Sequence, residues 1–88
     1  LHQNYPNPFN PITTIQYDIP MEGHVKLVIY DILGREVVKL LDQDIPAGYH
    51  TAVWNAKDNS GITMPGGVYF YQLQTRDYVK TFKMILLK

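Results

Sequence analysis

An antiparallel, immunoglobulin-like β-sandwich of about seven short strands is the fold that these 88 residues predict. Three observations lead there. Apolar residues recur with a period of two, turn-forming residues return every ~8–12 positions, and helical periodicity is almost absent.

The elements follow in order. Ile15, Tyr17 and Ile19 alternate with Thr14, Gln16 and Asp18 until Pro20 stops the run. After the turn MEGH, Val25, Leu27 and Ile29 alternate with Lys26, Val28 and Tyr30. DILGRE then supplies a glycine turn, and VVKLL over residues 37–41 fits a strand or a single helical turn, strand being preferred. DQDIPAG over residues 42–48 reads as a loop, and YHTAVWN as a strand rich in β-branched and aromatic side chains. KDNSG is turn chemistry, because Asp and Asn close local hydrogen bonds and Gly accepts positive φ. MPGG marks a second turn, GVYFYQLQ a strand, TRDY the last hairpin, and VKTFKMILL the closing strand.

A chain of this length supports one small domain burying ~60–65% of its unfolded surface. Its aromatic share of 12%, including seven tyrosines, compensates for size, since each large ring buries ~150–250 Å². Eight basic and eight acidic residues are scattered and give zero net charge, so there is no basic stripe for nucleic acid. No apolar stretch approaches the ~20 residues of a transmembrane helix, and no signal peptide is read at the N-terminus. Starting at Leu1 rather than Met, the sequence reads as a piece of a larger protein. Without cysteine there is neither a disulfide framework nor a Cys-based zinc site.

Residues 4–11, NYPNPFNP, carry three prolines and two large aromatics. Proline lacks the N–H of a ladder donor, which confines the segment to an edge or to the open end of the sandwich. The expectation is an ordered lid over residues 1–11 that marks the domain boundary, with Tyr5 and Phe9 plugging the gap between sheets, and the sandwich proper over residues 12–88. Trp54, Tyr69, Phe70 and Tyr71 are assigned with them to core and lid. Because Tyr69 and Tyr71 share one strand face and Val68 and Phe70 the other, a carbohydrate-binding or adhesive accessory module using the tyrosine stripe is a second reading.

Catalytic residues are not found. Ser60 is the only serine and sits in turn chemistry, without a nucleophile elbow. His2, His24 and His50 lack the spacing of metal pairs. Asp58 and Asn59, before Ser60 and Gly61, bear some likeness to a calcium loop, yet their oxygens are consecutive and the closing Glu is missing, so a turn is favoured. Asp42 and Asp44 read as a solvated loop, and an 88-residue sandwich has little room for a glycosidase cleft. No cofactor, no metal and no enzymatic activity are expected.

Six segments, taken in order, resemble one family: NYPNPFNP, TTIQYDIP, VKLVIYDILGREV, PAGYHTAVWNAKDNSG, PGGVYFYQL and KMILLK. Together they are similar to the type A C-terminal sorting domain of the type IX, or Por, secretion system of Bacteroidetes. The resemblance implies a non-catalytic immunoglobulin-like domain closing a larger secreted cargo. In the family such a domain directs the cargo from the periplasm through an outer-membrane translocon, is cut off by a sortase-like peptidase, and leaves the cargo secreted or at the cell surface. By resemblance the recognition element is Lys83, Met84, Ile85, Leu86, Leu87 and Lys88, approached by residues 79–82. A terminal edge strand whose outer rim is unpaired suits that role, because it can add to a receptor's sheet. WNAKDNSGITMPGGVYFY also resembles the immunoglobulin-like domain of flagellar hook-capping proteins, which implies a structural module instead.

Overall fold

The computed structural model describes residues 1–87 and is built from six strands: β1 (Thr13–Ile19), β2 (Gly23–Tyr30), β3 (Glu36–Ile45), β4 (Gly48–Trp54), β5 (Gly67–Gln74) and β6 (Val79–Leu86). They form two antiparallel sheets, one of order β1-β4 and one of order β3-β2-β5-β6. Six strands stand where about seven were expected. The remaining piece is the proline segment, which crosses from one sheet to the other. Tyr5 bridges Thr14 of β1 in antiparallel sense, and Phe9 bridges Leu86 of β6 in parallel sense. Pro6 and Pro8 bring no N–H, so the segment can make single bridges but not a ladder.

Period two sorts the side chains as the alternation predicts, except that Val28, on the opposite face of β2 from Leu27 and Ile29, is buried as well. Ile15, Tyr17 and Ile19 of β1 face Val25, Leu27 and Ile29 of β2, with Tyr69, Tyr71 and Leu73 of β5 and Met84 and Leu86 of β6 in the same buried cluster. Trp54 sits at one end of this core, its ring 5.8 Å from Phe9 and 5.2 Å from Tyr69, the latter edge-on. Its indole N–H donates to the Lys57 carbonyl at 2.9 Å, so a large ring is buried without stranding its polar atom. Among the described residues no buried side-chain N or O lacks a partner.

The third strand differs from the expected reading. DQDIPAG is not a loop from residue 42 onward: β3 continues through Asp42–Ile45 and turns only at Pro46 and Ala47. Its polar half is held by pairing with Gly23–Lys26 of β2, where His24 lies opposite Asp44. The β2–β3 ladder has two register shifts, between Leu27 and Val28 and between Ile29 and Tyr30. Such bulges bend an edge strand and make it a poor template for further pairing.

Two turns share one design. In DILGR the Asp31 carboxylate accepts the N–H groups of Leu33 and Arg35, each at 2.9 Å, while Asp31 and Arg35 exchange a backbone bond. In DNSGI the Asp58 carboxylate accepts from Ser60 and Ile62 in the same way, each at 2.9 Å, and Asp58 bonds to the Ile62 carbonyl. The fourth residue is glycine in both, at φ +82°, a left-handed conformation that side chains disfavour. Hydrogen bonds from Arg35 and Leu33 hold the Asp31 carboxyl below the ordinary carboxylate range.

Candidate functional site

The last strand lies at a sheet border. β6 pairs with β5 from Val79 opposite Gln74 to Leu86 opposite Gly67, and with no other strand. Alternation divides its side chains between two tasks. Met84 and Leu86 point into the core and are 0% and 4% exposed, whereas Lys83, Ile85 and Leu87 are exposed. Of the six residues expected to carry recognition, Lys88 lies outside the described residues.

The outer rim of β6 is covered over its C-terminal half, which differs from the unpaired rim expected from sequence. The Ile85 N–H donates to the Asn7 side-chain carbonyl at 2.9 Å, and the Ile85 carbonyl accepts the Phe9 N–H at 3.0 Å. Leu87 donates to the Phe9 carbonyl at 2.8 Å, and the Gln3 amide donates to the Lys83 carbonyl at 2.9 Å. Ile85 therefore fixes the parity of the strand, and the backbone of Val79, Thr81 and Lys83 faces outwards with it. Apart from the Gln3 bond, no hydrogen bond from the described residues reaches this stretch of rim. Half the border is strapped and half is open.

What holds the strap is a buried polar knot. The Tyr71 hydroxyl accepts the Asn4 N–H at 2.8 Å and donates to the His2 carbonyl at 2.7 Å. Asn4 is 2% exposed. Its side-chain amide donates to Thr13 Oγ1 at 2.9 Å and to the Pro6 carbonyl at 3.1 Å, and Thr13 donates to that same carbonyl at 2.9 Å. Burial pushes the Tyr71 hydroxyl up to about 12, opposed by the Asn4 hydrogen bond, so it stays a neutral donor for His2. Asn4, Asn7 and Gln3 were not singled out by sequence reasoning. Their signal was present: amide side chains interleaved with prolines can donate and accept where the proline backbone cannot donate.

The aromatic assignments are placed unevenly. Phe9, Trp54, Tyr69 and Tyr71 are buried, and Tyr69 donates to the Pro65 carbonyl at 2.6 Å. Tyr5 corrects the expectation: its backbone bridges β1 while its ring points to solvent, 80% exposed. One aromatic fills the gap, and Phe9 is the one. Phe70 is half-buried on the outer face, opposite Lys83 and Tyr30. Since Tyr69 and Tyr71 are core residues, the stripe proposed for sugar stacking is not at the surface.

With this edge in view, the comparisons can be stated. The secretion system C-terminal sorting domain family matches residues 3–87. The chain belongs to that family. Among curated proteins none matches. Solved structures that share the fold of this sorting domain include the following three. FlgD from P. aeruginosa is 28% identical with a TM-score of 0.66, over 84% of this chain and 57% of that one. Dimeric latent PorU from Porphyromonas gingivalis is 22% identical with a TM-score of 0.74, over 97% of this chain and 9% of that one. PorZ, a surface component of the type-IX secretion system of Porphyromonas gingivalis, is 22% identical with a TM-score of 0.65, over 98% of this chain and 11% of that one. The sorting domain thus spans little more than half of FlgD and about a tenth of the other two. The FlgD match agrees with the immunoglobulin-like relation read from the tryptophan-to-GVY segment.

Asp58 closes its turn, Asn59 is exposed beside it, and no group of three or more His, Asp or Glu side chains is assembled for a metal among the described residues. Ser60 serves the turn through its N–H. His2 meets Asp18 at 3.0 Å, and His50 meets the Pro46 carbonyl at 2.8 Å while stacking on Tyr17. No helix among the described residues is long and apolar enough to cross a membrane.

His24 is clasped by both aspartates of the β3 edge, Asp42 at 2.6 Å and Asp44 at 3.1 Å. Hydrogen bonds to these carboxylates raise the His24 pKa above its ordinary 6.5, and the bond from His24 lowers Asp42 below its ordinary 3.8. The His24 contribution is complete below 6.5 and is lost as pH rises through the raised folded value. The Asp42 contribution is complete above 3.8 and is lost as pH falls through the lowered folded value. Thermal unfolding of the wild type should therefore show a small decline as pH rises above 6.5, which His24→Gln flattens. A wild-type profile as flat as the variant's would dismiss the clasp as a stabilising contact.

Proposed function

We propose that the sorting domain addresses an upstream cargo to the type IX machinery, which reads its final strand and carries the cargo across the outer membrane. Its partners are then the outer-membrane translocon and the sortase-like peptidase that removes the domain, and the cargo ends secreted or at the cell surface. The observation that carries this reading is the position of β6 at a sheet border, where β5 is its one strand neighbour. The other side is open at Val79 and Thr81 and covered beyond them only by the proline segment. A strand placed there can add to a foreign sheet through main-chain hydrogen bonds, whereas a central strand has no group left to offer. Exposed Lys80 and Lys83 discourage indiscriminate edge pairing.

The test is a periplasmic reporter fused to residues 1–88 in a bacterium with the type IX system. The reporter is expected outside the cell, and deletion of residues 83–88 is expected to leave it in the periplasm. Because Met84 and Leu86 are core residues, the deletion also threatens the fold. A second variant, Lys83→Glu with Ile85→Asp, changes only exposed positions of β6 and should be retained equally. Export of both variants at the wild-type level would refute the address.

A further inference from the structure

We propose that the proline strap is a displaceable gate on the recognition strand, resting on the function proposed above. The receptor's strand docks first on the open rim at Val79 and Thr81, then takes the rim at Lys83, Ile85 and Leu87 from the strap. The strap's hold on the rim has an unusual composition. Two of its four bonds come from side chains, the Asn7 carbonyl to the Ile85 N–H and the Gln3 amide to the Lys83 carbonyl. The other two come from the single residue Phe9. Between Gln3 and Asn7 the strap advances four residues while the rim advances two, from Lys83 to Ile85, so no ladder forms. A true strand would satisfy every outward N–H and C=O in register, including the Thr81 pair that the strap never reaches. Exchange therefore replaces a patchwork with a ladder.

Charge indicates which strand enters. The open stretch presents Lys80 on one face, and Lys83 at its border presents its side chain on the other; both side chains are exposed, and no salt bridge joins either to a described residue. An incoming edge strand with carboxylates on its two faces matches them, and a basic strand is repelled. The strap itself carries no acidic residue, so it covers the rim without competing for these lysines. For the rim to change hands the strap swings away from β6, and its bridge from Tyr5 to Thr14 of β1 parts with it, while the anchor of Asn4 at Tyr71 stays in place.

A covalent lock tests the gate. Tyr5 and Thr14 are a hydrogen-bonded antiparallel pair, both bonds 2.9 Å. Such pairs lie about 5.5 Å apart at Cα, within the range a disulfide spans. The chain has no cysteine of its own, and the periplasm is oxidising. Tyr5→Cys with Thr14→Cys should tether the strap and hold the reporter fusion in the periplasm, while each single variant is exported. Gln16→Cys with Thr51→Cys joins β1 to β4 at another paired position and leaves the strap free, so it should be exported. Equal retention of the two disulfide variants would show that any cross-link blocks passage, and the gate would fall. Normal export of the Tyr5–Thr14 disulfide, with Lys83→Glu/Ile85→Asp retained, would overturn the gate and leave the address standing. Normal export of that surface variant as well would remove both.

Discussion

Trp54→Ala is expected to lower the free energy of unfolding by ~3–5 kcal/mol, the range for truncating a large buried aromatic. The site is 1% exposed and packs against Phe9 and Tyr69, which come from the strap and from β5. Neither neighbour can close over the void without giving up its own hydrogen-bonded station: Phe9 is tied to β6 by its backbone, and the Tyr69 hydroxyl to Pro65. A domain of this length has a total stability of roughly 4–13 kcal/mol, so the loss is a large fraction of the whole. Trp54 is the only tryptophan, so the measurement is urea unfolding followed by far-ultraviolet circular dichroism. A loss below about 1 kcal/mol would mean that the aromatic cluster is not the keystone of this core.

Tyr71→Phe should act on the strap more than on the sheets. The ring and its packing remain, but the buried Asn4 N–H and the His2 carbonyl both lose their partner. Leaving such groups unmet costs ~1–3 kcal/mol. Amide exchange should quicken at Tyr5 and Phe9, which bond to Thr14 and Ile85, while the β2–β5 ladder keeps its protection. The pH dependence has a definite sign. A hydroxyl raised from 10.0 to about 12 contributes fully below 10 and loses that contribution as pH rises through 12. Wild-type strap protection should fade in that alkaline window, and the phenylalanine variant should show no such fading. Equal protection in both proteins at neutral pH would detach the hydroxyl from strap order.

Where side-chain alternation decides the outcome, the letters were enough. β1 reads TTIQYDI with Thr13, Ile15, Tyr17 and Ile19 buried, the half-buried pattern of a strand with one wet face. They were not enough for β3, whose second half carries Asp42, Gln43 and Asp44 and resembles a loop in composition. Its strand character comes from the partner strand and from His24 opposite, both tertiary facts. The strap was legible as an edge segment because proline limits it, but not which aromatic turns inwards. Tyr5 and Phe9 are equivalent by pattern, and what separates them is tertiary: Phe9 is tied to β6 and packs beside Trp54. The coverage of the β6 rim was hidden for a related reason. It rests on amide side chains standing in for backbone groups, and sequence periodicity carries no record of such substitutions.

The twin turns have a practical consequence for protein engineering. In each, the aspartate and the glycine supply the closure, and the two residues between them, Ile32 and Leu33 in one and Asn59 and Ser60 in the other, contribute only main-chain atoms. Their side chains are free to vary, as the contrast between an apolar and a polar pair already illustrates. Both tips are thus natural sites for grafting short epitopes or fluorophore handles onto this scaffold, with the sandwich beneath left undisturbed.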